Sequence, residues 1–445
     1  MKIELPEPVK FVLSKLNESG YEAYIVGGCV RDSILGSVPK DWDITTSALP
    51  QETEQALTGC KLIETGLKHG TVTALIDGMP LEITTYRIDG TYSDNRHPDS
   101  VTFTRSLKED LARRDFTVNA LAYHEKGGII DYFGGQKDMQ DKIIRCVGEP
   151  DKRFEEDGLR ILRALRFASV LGFEIDSTTS KSIKAKKELL INIAAERLSS
   201  ELLKLICGKN AEQMLRQYPE VFGQFLPELL PMIGFEQHNS YHIYDVWEHV
   251  IHSVSAIKPE AVLRLAMLLH DIGKPDCYTR DEKGIGHFYG HPQRGAEIAK
   301  TILKRLRLDN TTIGQVTALV NYHDLPLQCT AKWIKTWLNK LGEQTFRHLL
   351  LVQAADTKAH APKAFDYLQY LGDMEQMLNE ILAQGQCFAL KNLAVNGNDL
   401  IQIGFAEGTQ IGAVLQQLLV SVMKENCPNE KDALLALAGT FKNEK

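Results

Sequence analysis

The 445-residue chain has no run of apolar residues as long as the ~18 that a membrane-spanning helix requires. Its opening stretch, "MKIELPEPVKFVLSKLNESG", carries charges where a secretory leader needs an apolar centre, so a cytoplasmic protein is expected. The eight cysteines are scattered without a CxxC pair, which speaks against a disulfide framework and a thiolate zinc site and leaves reduced, structural thiols. An excess of positive charge is missing too. The net charge of −7 argues against a protein that coats nucleic acid indiscriminately, although local basic faces remain in "KSIKAKKELL" from Lys181 and "KRLRLD" from Lys304. No short repeat or low-complexity tract interrupts the chain.

What is present is a change of rhythm. The first ~140 residues alternate between short strands ("AYIV", "WDIT", "TVTALI", "LEITTYRI") and helical segments, giving an α/β head, and after Arg145 the apolar spacing turns helical to the end. The length suits two to four units, each with its own core. The fold class expected is therefore α+β.

The stretch "YIVGGCVRDSILGSVPKDWDITTS" concentrates the chemistry. A glycine pair after a strand lets backbone N–H groups approach a phosphate, and Arg31 offers a planar fork for its oxygens. In an extended strand Asp41 and Asp43 share one side while Trp42 faces the other. Such a pair is either a surface acid patch or a ligand set for a hard cation such as Mg²⁺, whose other positions are filled by water and substrate phosphate. The glycine pair and Arg31 favour the second reading, a site for metal-assisted phosphoryl or nucleotidyl transfer. Glu82, in "LEITTYR", could add a third carboxylate as base for an attacking hydroxyl.

Further on, "RFEEDGLRILRALRFASVLGF" places Asp157, Arg160, Arg163 and Arg166 at steps of three, so that one continuous helix would set Asp157 beside Arg160. That pair is either a surface ion pair or a reader of bases. A carboxylate accepting from an exocyclic amine and a guanidinium donating to the adjacent ring nitrogen together fit adenine and cytosine, and leave guanine and uracil with unpaired groups.

These motifs, "GGCVRD", "DWD", "ITTYRIDGTYSDNRHPDSVTF", "RRDFTVNALAY" and "EEDGLRILRALRF", occur in order over about the first 175 residues, and together they resemble the bacterial class II tRNA nucleotidyltransferases, the CCA-adding enzymes, and their poly(A) polymerase relatives. The resemblance implies a nucleotidyltransferase head followed by all-helical neck, body and tail. It also implies template-independent addition of the 3′-terminal CCA of tRNA from CTP and ATP with Mg²⁺. By position, Asp41 and Asp43 would ligate the metal, Gly28 and Arg31 would bind the triphosphate, and Arg114 would contact the incoming nucleotide. Asp157 and Arg160 would read the base, with Arg163 and Arg166 assisting. "RIDGTYSDNRHPDS" would be a mobile loop tied in the family to the switch from C to A, and the C-terminal "LAVNGNDLIQIGFAEGTQIGAVLQQLL" would help hold tRNA.

A second constellation follows. His249 in "VWEHVIHS", His270 and Asp271 in "MLLHDIGKP", His291 in "GHPQRGAE", and His323 with Asp324 in "YHDLP" resemble the ligand order of the HD phosphohydrolase superfamily, implying a second divalent-metal site. The domains expected are a head over 1–145, a neck over 146–210, an HD-type body over 211–345 and a tail over 346–445. The rival readings are an A-adding enzyme or poly(A) polymerase on the same scaffold, and an HD phosphohydrolase whose head only binds RNA.

Overall fold

The computed structural model describes residues 2–66, 70–90, 92 and 99–441. It divides into two compact units, Met1–Leu230 and Pro231–Lys445.

In the first unit, seven strands form one sheet. Apolar alternation in "AYIV" makes β1 (Ala23–Val26), with Ala23, Ile25 and Val26 buried, and β2 (Asp43–Thr46) returns antiparallel to it. β3 (Lys61–Gly66), β4 (Thr71–Ile76) and β5 (Met79–Thr85) form a meander whose last strand lies parallel to β2. β6 (Arg87–Asp89) and β7 (Val101–Phe103) pair as a separate ribbon, and β8 (Leu121–His124) and β9 (Gly128–Asp131) complete the sheet in the order β3-β4-β5-β2-β1-β8-β9. The helix Glu7–Glu18 buries Val9, Val12, Leu13 and Leu16, the i, i+3, i+4, i+7 stripe of an amphipathic helix, and packs on β1. The ribbon forms the arms of the expected mobile loop, whose residues 91 and 93–98 lie outside the described residues.

The helical segment that follows departs from expectation. The helix Pro150–Glu156 ends at Asp157, which is extended (φ −143°, ψ 104°), and a new helix, Leu159–Leu171, begins after Gly158. A Cβ at Gly158 would sit 3.0 Å from Leu189 Cβ, so a side chain there would crowd the neighbouring segment. The steps of three therefore do not share one helix at Asp157. Leu159, Ile161, Leu162, Leu165 and Phe167 are buried, each stabilising by about 1.5–3 kcal/mol, and this fixes the helix against Ala195–Ile206. The residues expected as head and neck fall together in the first unit, where Ile143–Ile144 pairs in parallel with Glu174–Ile175.

The second unit is almost wholly helical. Helices Val246–Ala256, Ala261–Leu269, His291–Arg305, Asn310–Tyr322 and Glu343–Lys358 pack on one another. A separate apolar core around Leu400, Leu418 and Leu434 holds the C-terminal helices. The architecture is α+β, as expected. Among the described residues no helix is long and apolar enough to cross a membrane, and all eight cysteines are free.

Candidate functional site

The parallel pairing of β2 and β5 sets Asp43 directly beside Glu82. Asp41 lies exposed in the turn before β2, while Trp42 between the two aspartates is buried, so the core-facing tryptophan anchors the acidic turn. Burial pushes the Asp43 carboxyl above its ordinary value; Arg114 pulls it down, and the charges of Glu82 and Asp41 add to the rise. A divalent cation relieves crowding of this kind, and an all-oxygen donor set with two exposed carboxylates suits Mg²⁺, which keeps part of its shell for water and phosphate.

Arg31 is held in place before any substrate arrives. It is 8 % exposed, donates through Nη1 to Asn119 Oδ1 and through Nε to Asp32 Oδ1 at 2.8 Å, and lies 5.0 Å from the centre of the Phe167 ring. The glycine that local geometry demands is Gly27. Its φ is +80°, and a Cβ there would stand 2.8 Å from Arg114 Nη1, whereas a Cβ at Gly28 would meet only Arg31 Nη2 at 3.7 Å. Arg114 therefore lies against the glycine turn and beside Asp43, with its Nε buried and lacking a hydrogen-bond partner.

A network of side chains runs from Arg31 into the neck. Asn119 donates to Asp115 Oδ1 at 3.0 Å, and Asp115 Oδ2 accepts from Arg163 at 2.6 and 2.9 Å. Burial alone would raise the Asp115 carboxyl, but Arg163 and Asn119 outweigh it and hold it at about 2. Glu201 binds Arg166 at 2.7 Å and lies 3.8 Å from Arg163, while the Arg166 guanidinium stacks 3.6 Å from the centre of the Phe167 ring.

Asp157 and Arg160 flank a helix break and do not lie on the one continuous helix expected, and each has partners of its own. Asp157 accepts from Leu159 N at 3.0 Å and from Arg197 at 2.8 and 3.3 Å. Arg160 binds Glu156 and the carbonyls of Arg153 and Arg113, at 3.1 and 3.2 Å. The helix break is the reason: Asp157 caps the next turn, and its side chain faces Ala195–Ile206.

In the second unit, five helices or their ends supply one cluster: His249, His270 with Asp271, His291, His323 and Asp356. The Nδ1 atoms of His270, His291 and His323 lie 2.7–2.8 Å from the carbonyls three residues back (Met267, Phe288 and Val320), and His249 Nδ1 lies 3.3 Å from Ala359 O. A carbonyl only accepts, so each Nδ1 carries a proton and each ring turns its Nε2 inward. The Nε2 atoms then meet in two pairs, His249 with His270 at 3.3 Å and His291 with His323 at 3.2 Å. Lone pairs so close require a proton or a cation between them.

Asp271 divides its carboxylate between the pairs. Oδ2 lies 3.4 Å from His249 and 3.2 Å from His270, while Oδ1 lies 3.4 Å from His291 and 3.6 Å from His323. Asp356 Oδ1 stands 2.8 Å from His249 Nε2, closing the first set. Asp271 Oδ2 is buried without an aligned hydrogen bond, although Lys274 Nζ is 2.7 Å away. Burial would lower the pKa of His270, but Asp271 and Asp356 outweigh it and hold it at about 10. His249, His270 and Asp271 in one group, and Asp271, His291 and His323 in another, could each hold a divalent ion, and their imidazole content would favour borderline metals over Mg²⁺. Asp324 is exposed on the wall of the adjoining cavity and belongs to none of the His/Asp groups.

Residues 23–145 match the Poly A polymerase head domain, and residues 291–438 match tRNA nucleotidyltransferase domain 2. A CCA-adding enzyme of Limosilactobacillus reuteri (strain DSM 20016) is 36 % identical over 442 residues, which cover 98 % of each chain. The chain belongs to the CCA-adding enzyme family. Among solved structures, the Bacillus stearothermophilus CCA-adding enzyme in complex with CTP matches with a TM-score of 0.74 and 31 % identity over 99 % of this chain and 98 % of that one. The Thermotoga maritima CCA-adding enzyme complexed with tRNA shares the fold, with a TM-score of 0.61 and 22 % identity over 98 % and 96 % of the two chains.

The enzyme is thus a nucleotidyltransferase, and several of its pocket residues escaped the sequence reading. Asn119 and Asp115 sit inside the quoted "RRDFTVNALAY", but only their contacts show that they tie Arg31 to Arg163. Glu156, the partner of Arg160, sits inside the quoted "EEDGLRILRALRF" but only its contact shows its role, and Arg197, the partner of Asp157, lies outside the quoted motifs. Asp356 lies in "AADTKAH" near the end of a long helix, outside every motif the sequence reading singled out.

Proposed function

We propose that the enzyme adds and repairs the 3′-terminal CCA of tRNA, using CTP and ATP without a nucleic-acid template and releasing pyrophosphate. The observation that carries this is the juxtaposition of Asp43 and Glu82 across parallel strands, with Arg31 and Arg114 beside the same glycine turn. Asp41 and Asp43 would hold Mg²⁺, which would supply Lewis-acid charge for the triphosphate. Arg31 and Arg114 grip the phosphate oxygens, and Gly28 leaves the backbone open to them. Glu82 accepts the proton of the tRNA 3′-hydroxyl as that oxygen bonds to the α-phosphorus and pyrophosphate departs.

Base choice falls to Asp157 and Arg160. Asp157 Oδ2 keeps a lone pair while bound to Arg197, and Arg160 keeps its Nε–H while bound to Glu156 and the two carbonyls. An exocyclic amine beside a ring acceptor satisfies both, as in cytosine and adenine. Arg163 and Arg166 hold the reading helix in position through Asp115 and Glu201.

Labelled CTP and ATP, offered separately and together to tRNA transcripts that lack CCA, end in CC or end in CCA, test this reading. Two C additions, one A and then a stop are expected. Addition of A alone to the CC-ended transcript would overturn it in favour of an A-adding enzyme.

A second activity is favoured by the convergence of four imidazole Nε2 atoms on a divided Asp271: metal-dependent hydrolysis of phosphate esters, as in the HD phosphohydrolases. Metal analysis of full-length protein should find two borderline ions per chain in this unit, both lost in Asp271→Asn. Retention of both in that variant would refute the bridging role.

A further inference from the structure

The His/Asp cluster stands where two cavities of the second unit adjoin. One, of about 520 Å³, is lined by Lys274, His287, Phe288 and Tyr289; the other, of about 750 Å³, by Pro326, Lys363, Tyr367 and Tyr370. Tyr241, His323, Asp324, Asp356 and His360 border both, so the two spaces share part of the cluster, His323 and Asp356, as a common wall. Each falls in the range of about 300–1,000 Å³ that holds a small organic ligand.

Both cavities carry a flat aromatic pair. The rings of His287 and Tyr289 stack at 5.4 Å and 8°, and those of Tyr367 and Tyr370 at 5.6 Å and 22°. The second pair is fixed by its hydroxyls: Tyr367 donates to Gln353 Oε1 at 2.8 Å and Tyr370 to Leu327 O at 3.0 Å. Tyr289 is 80 % exposed, and Tyr241, on the shared wall, is 62 % exposed with Lys363 Nζ 4.2 Å from its ring centre. On the wall of the first cavity, the His242 ring lies 4.5 Å from that of His360, and its Nδ1 is buried without a hydrogen-bond partner.

A phosphomonoester has one organic arm and would leave one of these spaces unused. A phosphodiester has an arm on each side of phosphorus. Building on the reading of this unit as a metal-dependent phosphohydrolase, we infer that its substrate is a phosphodiester joining two nucleosides, with phosphorus beside Asp271 and Asp356 and one base against each aromatic pair. Aromatic faces stack bases of any sequence. The unpartnered Nδ1 of His242 meets a substrate oxygen on the wall of the first cavity. Hydrolysis consumes one water: its oxygen bonds to phosphorus, one ester P–O bond breaks, and the departing nucleoside hydroxyl gains a proton. A nucleoside and a nucleoside monophosphate result, with no change of oxidation state.

The test uses full-length, Mn²⁺-loaded protein with bis(p-nitrophenyl) phosphate against p-nitrophenyl phosphate, and a dinucleoside monophosphate against AMP. The diester should be favoured in kcat/KM by about ten-fold or more in each pair. Calorimetry on metal-free protein should show the dinucleoside monophosphate bound, and bound about five-fold more weakly after Tyr289→Ala and, separately, after Tyr367→Ala. Cleavage of a short oligoribonucleotide as well would make RNA the source of the diester; cleavage of the dinucleotide alone would make it a free nucleotide, and both fit the inference. Preference for the monoesters would overturn the two-armed substrate while leaving the hydrolase reading standing. Two ions bound with none of the four compounds hydrolysed would remove the hydrolase reading, and this inference with it.

Discussion

The two ligand sets of this chain are stabilised in opposite ways. In the head, three carboxylates come from two neighbouring strands and the turn before one of them, and two of the three, Asp41 and Glu82, are exposed. In the second unit, four imidazoles and two carboxylates come from five helices, and five of the six residues are fully or almost fully buried. The first set offers hard oxygen donors and, holding a metal, would leave room for water and a triphosphate that changes with every turnover. The second has a backbone carbonyl behind each imidazole and suits an ion that stays. An exchanging ion needs an open site, and a resident one needs a closed shell.

Four substitutions would break or sharpen that contrast. The largest effect belongs to Asp43→Ala, which should lower CTP incorporation by roughly 10³-fold or more, about 4 kcal/mol, while metal bound in the second unit stays constant. Asp271→Asn comes next: affinity for Mn²⁺ or Zn²⁺, read by metal titration, should drop by at least about 100-fold, because the carboxylate between the two pairs loses its charge and one of its two oxygens.

Asp157→Ala should relax rejection of UTP and GTP by about 10- to 100-fold in competition assays, since the carboxylate that accepts the amine is gone. The smallest change is in stability. Asp115 is held at about 2 in the folded protein, below its ordinary value, so its contribution is present above about pH 4 and is lost as pH falls through 2. Asp115→Asn should therefore cost about 2 kcal/mol in urea unfolding at pH 7 and almost nothing near pH 2.

Local pattern carried the head a long way. The strand over "AYIV", the acidic pair around a buried Trp42, and Glu82 from a neighbouring strand were all legible, because residues two apart in a strand share a face and the motif residues lie close in sequence. The neck was misread at Asp157, because its spacing of three fits a helix and only tertiary packing at Gly158 shows the break. In the second unit the histidines near helix ends were visible, but the last carboxylate was not. Asp324 follows His323 in sequence, yet it stands exposed past the helix end, while Asp356 reaches the cluster from a different helix. Sequence adjacency locates a ligand only while the backbone keeps both side chains on one face.

The independence of the two sites is tested most directly by one paired measurement: CTP and ATP incorporation into tRNA lacking CCA, together with bound transition metal per chain, for the unmodified enzyme, Asp43→Ala and Asp271→Asn. The expected result is crosswise, with Asp43→Ala losing incorporation but keeping its metal, and Asp271→Asn losing metal but still completing CCA. Loss of both properties in either folded variant would contradict two separate sites.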